Sequence, residues 1–234
     1  MTFAISARCV ETGKYGVAIS TRPMAVGARC PFIVPGVGVV VTMAYTDPRL
    51  GLLGQKLLKL GYSAKKVLEE IASSDPHVEY RQLSVIDRVG NAVTRTGARN
   101  KDWSGAFTEP NLVAMGNGLV SERTASAMFD TYRGARGVSF EERLLRALEA
   151  GRDAGGQHGG QHSANLIVYS TQDYARVDLR VDEHAEPIGE LRRLHDLYTP
   201  QADYYENRPW QPDVMGSEAE YFAAQATAAS KTSK

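Results

Sequence analysis

Apolar and polar positions alternate from the start of the chain, and the first elements they predict are strands. Residues 2–8, Thr-Phe-Ala-Ile-Ser-Ala-Arg, run into the turn Glu11-Thr12-Gly13-Lys14, and residues 15–20 return from it, so the chain opens on a hairpin. A loop through Met24-Ala25-Val26-Gly27 and Cys30-Pro31 follows. Residues 36–44 hold the β-branched run Val37, Val39, Val40 and Val41, which reads as a central strand buried on both faces and ended by Pro48 and Gly51. The period then lengthens. Leu52, Leu53, Leu57, Leu58 and Leu60 form one helical stripe closed by Gly61, and Ser63 caps a second helix whose inner face is Val67, Leu68 and Ile71. Asp75-Pro76 stops that helix.

Strand patterning resumes at residues 82–87, turns at Gly90-Asn91 and returns through Ala92-Val93-Thr94. Residues 95–105 read as a long polar loop with one aromatic, Trp103. A short strand over 111–115 ends in Gly116-Asn117-Gly118 and leads to a helix over 121–132. Ser139-Phe140-Glu141-Glu142 has capping-box spacing and starts another helix, lined by Leu144, Leu145 and Leu148. A glycine-rich loop over 155–160 precedes strands at 164–169 and 177–181, and a last helix spans 187–198. Beyond Pro200 the chain turns to Tyr, Trp and Pro. Residues 201–222 are expected to form an arm packed on the surface or on a partner, and 223–234 a flexible tail.

Strand hairpins separated by helix pairs predict an α+β fold. The expected form is one domain over residues 1–200, a four-layer αββα sandwich of two stacked antiparallel sheets flanked by helices. At 234 residues the chain can bury a substantial core. Its 27 basic and 27 acidic residues balance, which argues against a nucleic-acid groove. No run approaches the ~18 apolar residues of a membrane span, and no charged leader with an apolar stretch opens the chain. Two cysteines, Cys9 and Cys30, are too few for a disulfide framework. These features fit a cytoplasmic protein without a membrane partner.

Thr2 then changes the picture. If Met1 is removed, a hydroxyl and a free α-amine share one residue at the tip of a sheet, which supplies a nucleophile and its base without a histidine. An α-amine has a reference pKa of about 7.7–8.0, so part of it is unprotonated at neutral pH. No Gly-x-Ser-x-Gly elbow competes with it. His158 and His162 are four apart, but their segment is too glycine-rich for a helix and has no third ligand nearby, so no metal is expected. The glycines of 155–160 are not followed by Lys-Ser/Thr, so no phosphate-binding loop and no cofactor is expected.

Several stretches together resemble one family. They are Thr2-Phe3-Ala4-Ile5, Tyr15-Gly16-Val17-Ala18-Ile19, Met24-Ala25-Val26-Gly27-Ala28, Asp47-Pro48-Arg49-Leu50-Gly51, Thr96-Gly97-Ala98-Arg99, Trp103-Ser104-Gly105, Met115-Gly116-Asn117, Gln161-His162-Ser163-Ala164 and residues 177–182. In order and spacing the chain resembles the domain-of-unknown-function 1028 family, described as Ntn-hydrolase-like, over residues 2–198. A looser likeness is to proteasome β-type subunits. The resemblance implies amide hydrolysis through an acyl-enzyme, with Thr2 as nucleophile and α-amine base, and backbone N–H groups at Gly116 and Asn117 as the oxyanion hole. Arg22 and Ser163 join the catalytic set. Asp47, Met43 and Trp103 are the substrate-contact candidates.

Each of these residues also has a plainer reading. Arg22 sits where a surface arginine would, Asp47-Pro48 is a common turn, Gly116-Asn117-Gly118 suits a tight strand-to-helix turn, and Trp103 could plug the gap between helix and sheet. The sequence also departs from the family pattern, with Thr21-Arg22-Pro23 for Ser-Lys-Phe, Met43 for Gln and Asp47 for Asn. Two functions are therefore expected of the fold. One is an amidohydrolase acting on a small-molecule amide. The other is a catalytically inactive protein that binds a small ligand or builds an assembly. For either function, the aromatic arm at Tyr204, Tyr205 and Trp210 favours a homodimer.

Overall fold

The structure is a computed structural model that describes the backbone of residues 1–232 and side chains through residue 225. The chain divides into two compact units, Met1–Arg192 and Arg193–Lys234. The first is α+β with two antiparallel sheets. Ten strands in chain order are β1 (Thr2–Arg8), β2 (Tyr15–Thr21), β3 (Pro31–Val34), β4 (Gly38–Ala44), β5 (Arg81–Ile86), β6 (Ala92–Thr96), β7 (Trp103–Glu109), β8 (Leu112–Leu119), β9 (Ser163–Tyr169) and β10 (Ala175–Val181). Six of them form a sheet in the order β10-β9-β2-β1-β8-β7, and four form a second in the order β3-β4-β5-β6.

The alternation along each strand decides what it faces. On β1, Ala4 joins Val17 and Ile19 of β2, Val39, Val41 and Met43 of β4, and Met115 of β8 in one buried apolar cluster between the sheets. Phe3 points the other way, toward Gly151 of α4 (Phe140–Asp153) and Met128 of α3 (Arg123–Gly134). Gly16 of β2 lies so close to Leu144 and Phe140 that an added Cβ would sit 2.5 and 2.9 Å from them, which is why α4 settles over β2. On the second sheet, Val40, Leu83 and Val85 pack with Leu50 and Leu58 of α1 (Pro48–Lys59) and with Val67 and Ile71 of α2 (Ala64–Ser73). Asp47 and Ser63 cap these two helices, with side-chain oxygens accepting from the backbone N–H of Arg49 and Lys66.

Two strands lie where the sequence pattern reads as loop. β3 is a four-residue edge strand that opens on Pro31, a residue tolerated there because the edge needs no donor from it. β7 occupies residues expected to be loop and unassigned. It is an edge of the other sheet, half-buried except at the exposed Thr108 and with no fully buried residue, so little of its side-chain pattern reports burial. The Gly116-Asn117-Gly118 segment is likewise not a strand-to-helix turn. β8 continues through it to Leu119, and α3 starts only at Arg123.

Helix α5 (Pro187–Tyr198) leads into the second unit, where α6 (Ala202–Asn207), α7 (Pro212–Met215) and α8 (Glu218–Thr232) follow. Tyr204 is the centre of that unit, with its ring 5.2 Å from Tyr205, 5.0 Å from Tyr221 and 6.0 Å from Phe222. Its hydroxyl donates to the Gly216 carbonyl at 3.2 Å. The residues expected to form an arm are thus short helices gathered on one tyrosine. The backbone of the tail expected at 223–234 belongs to α8 through Thr232, while its side chains beyond residue 225 and its last two residues lie outside the described residues. No described helix is long and apolar enough to cross a membrane.

Candidate active site

Strand register puts four polar residues in a row at one end of the six-stranded sheet. Thr2 pairs with Asn117 of β8 on one side and Thr21 of β2 on the other, and Thr21 pairs with Ser163 of β9. Residues directly opposite across strands share a face. The row therefore continues the face of Ala4 and Met115, toward the second sheet.

The hydrogen bonds along the row have a direction. The Thr21 hydroxyl donates to the Met1 carbonyl at 2.7 Å, and its oxygen lies 2.9 Å from the Thr2 hydroxyl. A carbonyl can only accept, so the single Thr21 proton goes to Met1 and Thr2 donates to Thr21. The chain of bonds runs Thr2 to Thr21 to the carbonyl of the Met1–Thr2 peptide. Thr2 itself is 5% exposed. What meets solvent is Met1, 44% exposed, whose side chain lies over Gly118 so closely that a Cβ there would stand 2.2 Å from the Met1 Cγ. Partial burial lowers the pKa of the Met1 amine, with the Cys30 thiol opposing that shift. Cys30 is buried, and its own pKa is pushed up to about 11, so it stays a neutral thiol.

Beside Met1 opens a cavity of about 550 Å³, bounded by Asn117 and Gly118 on the strand side and by Tyr45, Tyr80, Arg99 and Lys101 opposite. Tyr45 and Tyr80 meet edge to face at 5.6 Å, and the Arg99 guanidinium lies 5.9 Å from the Tyr80 ring centre. Ala44, at the lip, holds φ +69°, a left-handed conformation that costs a residue bearing a Cβ about 1–2 kcal/mol. The Tyr45 N–H donates to the Tyr80 carbonyl at 3.2 Å, and Arg81 donates to the Tyr45 carbonyl, which hold this turn in place.

Gln82 of β5 ties the two sheets together under the row. Its side-chain N–H groups reach the Gly116 carbonyl at 2.8 Å, Thr96 Oγ1 at 3.0 Å and the Gly105 carbonyl at 3.2 Å. Its Oε1 accepts from Asn117 Nδ2 at 3.0 Å. Gln82 was missed by the sequence reading, as was Thr21. The one available signal was a polar residue on the inward side of an alternating strand.

The remaining expected site residues go to other duties. Ser163 is fully buried; it donates to the Pro23 carbonyl at 2.7 Å and accepts from the Val26 N–H at 3.2 Å, fastening the loop that leaves β2. Met43 is fully buried in the cluster between the sheets. Asp47 caps α1 and is held by Arg49 at 2.7 Å and Arg81 at 3.9 Å; the Arg49 hydrogen bond first, then the other donors and charges, keep its pKa below the usual carboxylate value. Arg22 is exposed and passes over Gly159 of the glycine-rich loop. Trp103 opens β7 and lies across Gly105. Gly116 is within β8, its carbonyl bound by Gln82. Of the expected set, Asn117 lines the cavity, and Thr2 is paired with it across β1 and β8 but lies buried beneath Met1, outside the lining.

Among solved structures, an Anbu (Gly-1) mutant from Hyphomicrobium sp. strain MC1 is 14% identical with a TM-score of 0.41, over 86% of this chain and 96% of that one. Anbu (ancestral beta-subunit) from Yersinia bercovieri is 12% identical with a TM-score of 0.38, over 82% and 91%. No curated protein matches the chain. Protein SPO2555 from Silicibacter pomeroyi, a DUF1028 structure, is 32% identical with a TM-score of 0.78, over 85% of this chain and 89% of that one. Residues 2–191 match the family of unknown function DUF1028, and the chain belongs to that family.

Proposed function

We propose that the chain, once Met1 is removed, is an N-terminal-nucleophile amidohydrolase built on a four-layer αββα sandwich and acting on a small-molecule amide. The observation that carries this reading is the bond chain from Thr2 through Thr21 to the Met1 carbonyl, with Met1 itself lining the 550 Å³ cavity. Loss of one residue leaves the Thr2 amine facing the cavity and frees the Thr21 hydroxyl. The Thr2 Oγ then attacks the amide carbon while its proton passes to the α-amine. Collapse of the tetrahedral intermediate breaks the C–N bond, and the amine leaves with that proton. Water hydrolyses the ester by the same route. Asn117, beside the cavity, is the group assigned to the oxyanion.

The test has two steps. Intact mass of protein made in its native host is expected to lack Met1. A β-lactone, which acylates an activated hydroxyl, is then expected to add once to the des-Met1 protein, at Thr2, and not to Thr2→Ala. A des-Met1 protein that takes no label at Thr2 overturns the proposal. The burial of Thr2 beneath an intact Met1 favours a second reading, an inactive ligand-binding or assembly protein. Retention of Met1 in the native host supports that reading and leaves the first without its base.

A further inference from the structure

A larger cavity, about 720 Å³, opens at the other end of β1 and β2. Seven strand residues separate the ends, about 20 Å at ~3.3 Å per residue, so this chamber is distinct from the Thr2 row. It is lined by the turn between β1 and β2 and by the connection from α3 to α4. Five basic residues line it, Lys14, Arg133, Arg136, Arg143 and Arg176, against three acidic ones, Glu11, Glu109 and Glu141.

The pairing among these charges is uneven. Glu141 is buried and takes both Lys14 at 3.0 Å and Arg176 at 3.1 Å, and Glu109 takes Arg133 at 3.3 Å. Glu11 accepts the Cys9 thiol proton at 3.1 Å. Among the described residues, Arg136 and Arg143 have no ion-pair contact, and Glu11 is the carboxylate whose charge they feel. The Arg143 guanidinium stacks 4.1 Å from the centre of the Tyr132 ring and gives one hydrogen bond, from Nη2 to the Tyr132 carbonyl at 3.2 Å, while its Nε–H is buried with no acceptor. The first turn of α4, a fourteen-residue helix capped by Ser139, forms the adjacent wall and adds the positive end of its dipole. Tyr132, Val138 and Phe140 supply an apolar side.

We infer that this chamber binds a small organic phosphate. Two unpaired guanidinium groups beside a helix N-terminus match a dianion. The volume exceeds that of the anion alone, and the apolar wall takes the organic part. The site does not depend on the Thr2 chemistry, and its test does not use it.

The experiment is calorimetric titration of the full chain with phenyl phosphate at low ionic strength, where charge–charge attraction is least screened. One saturable site is expected. Inorganic phosphate, lacking the ring, is expected to bind about tenfold more weakly, and phenol, lacking the charge, not to saturate. Arg136→Ala, at an exposed residue whose side chain has no hydrogen bond or ion-pair contact among the described residues and whose backbone N–H bond to Gly134 the change keeps, is expected to weaken phenyl phosphate about tenfold with unchanged thermal stability. Glu11→Gln, which removes a negative charge from the wall, is expected to tighten it about threefold. Absence of saturable binding, equal affinity for phosphate and phenyl phosphate, or indifference to both substitutions would each overturn the assignment.

Discussion

Replacing Gln82 by Met isolates the tie between the sheets. Met matches Gln in length and adds no cavity, so the change acts on hydrogen bonds. Gln82 is fully buried, and its amide serves two backbone carbonyls, one threonine hydroxyl and the Asn117 amide. Thr96 is exposed and finds water instead. The Gly116 carbonyl and the Asn117 N–H are buried and have no such recourse. Two abandoned buried polar groups cost about 1–3 kcal/mol each, and burying the Met thioether returns about 1 kcal/mol, so a net loss of about 1–5 kcal/mol is expected. With a urea m-value of about 3 kcal/mol per molar for a chain of this size, the midpoint falls by roughly 0.3–1.7 M. Adding Asn117→Leu to Gln82→Met removes one orphaned donor, so the double variant is expected to be more stable than the sum of the single changes by about 1 kcal/mol. A midpoint for Gln82→Met within 0.2 M (roughly experimental error) of the parent would refute the reasoning, because it would mean that these groups are satisfied without Gln82.

Gly51 and Asp75 give two further tests. Gly51 lies within α1, where alanine ordinarily gains about 1 kcal/mol, but its added Cβ would stand 2.1 Å from the Phe32 ring; Gly51→Ala is expected to lower stability by about 1–3 kcal/mol in urea melts, and a stabilised variant would contradict the packing. Asp75 accepts from Arg81 Nε at 2.8 Å and from the His77 N–H, with the Arg81 bond the main cause that its pKa lies below the usual 3.8. The unfolded chain then binds more protons between the two pKa values. The stabilisation from Asp75 is present above 3.8 and lost as pH falls through the folded value. Asp75→Asn is expected to melt below the parent at pH 7 and to converge on it in acid; a gap constant with pH would refute the linkage.

The parts of the fold that the sequence disclosed are those where burial imposes a period. β1, β2 and β4 and the helices α1, α2 and α4 each present one face or two to a close-packed cluster, and that constraint is written in Val40, Leu58, Ile71 and Leu144. The edge strands β3 and β7 carry no such constraint, and their residues read as loop. The site was legible to a smaller extent. Thr2 was visible because its chemistry depends on its place in the chain. Met43, Asp47 and Ser163 carry polar or polarisable atoms in the right order along the chain, but order does not say what else claims those atoms. A core cluster, a helix cap and a loop staple claim them.

The row of Asn117, Thr2, Thr21 and Ser163 has a different origin. Its members come from four strands, and only the register of three pairings brings them level. A slip of one residue between β1 and β2 would turn Thr21 to the face of Phe3 and place Ser20 or Arg22 across from Thr2. Register here is set by what lies further along the same strands, where Ile5 meets Ala18 and Ala7 meets Gly16 beneath α4. Gly16 is the residue that permits that close approach, since any side chain there would collide with Leu144 and Phe140. The position of the Thr21 hydroxyl on the Met1 carbonyl therefore depends on packing at the far end of the hairpin. A substitution at Gly16 is expected to disturb the Thr2 row from about five residues away, without touching it.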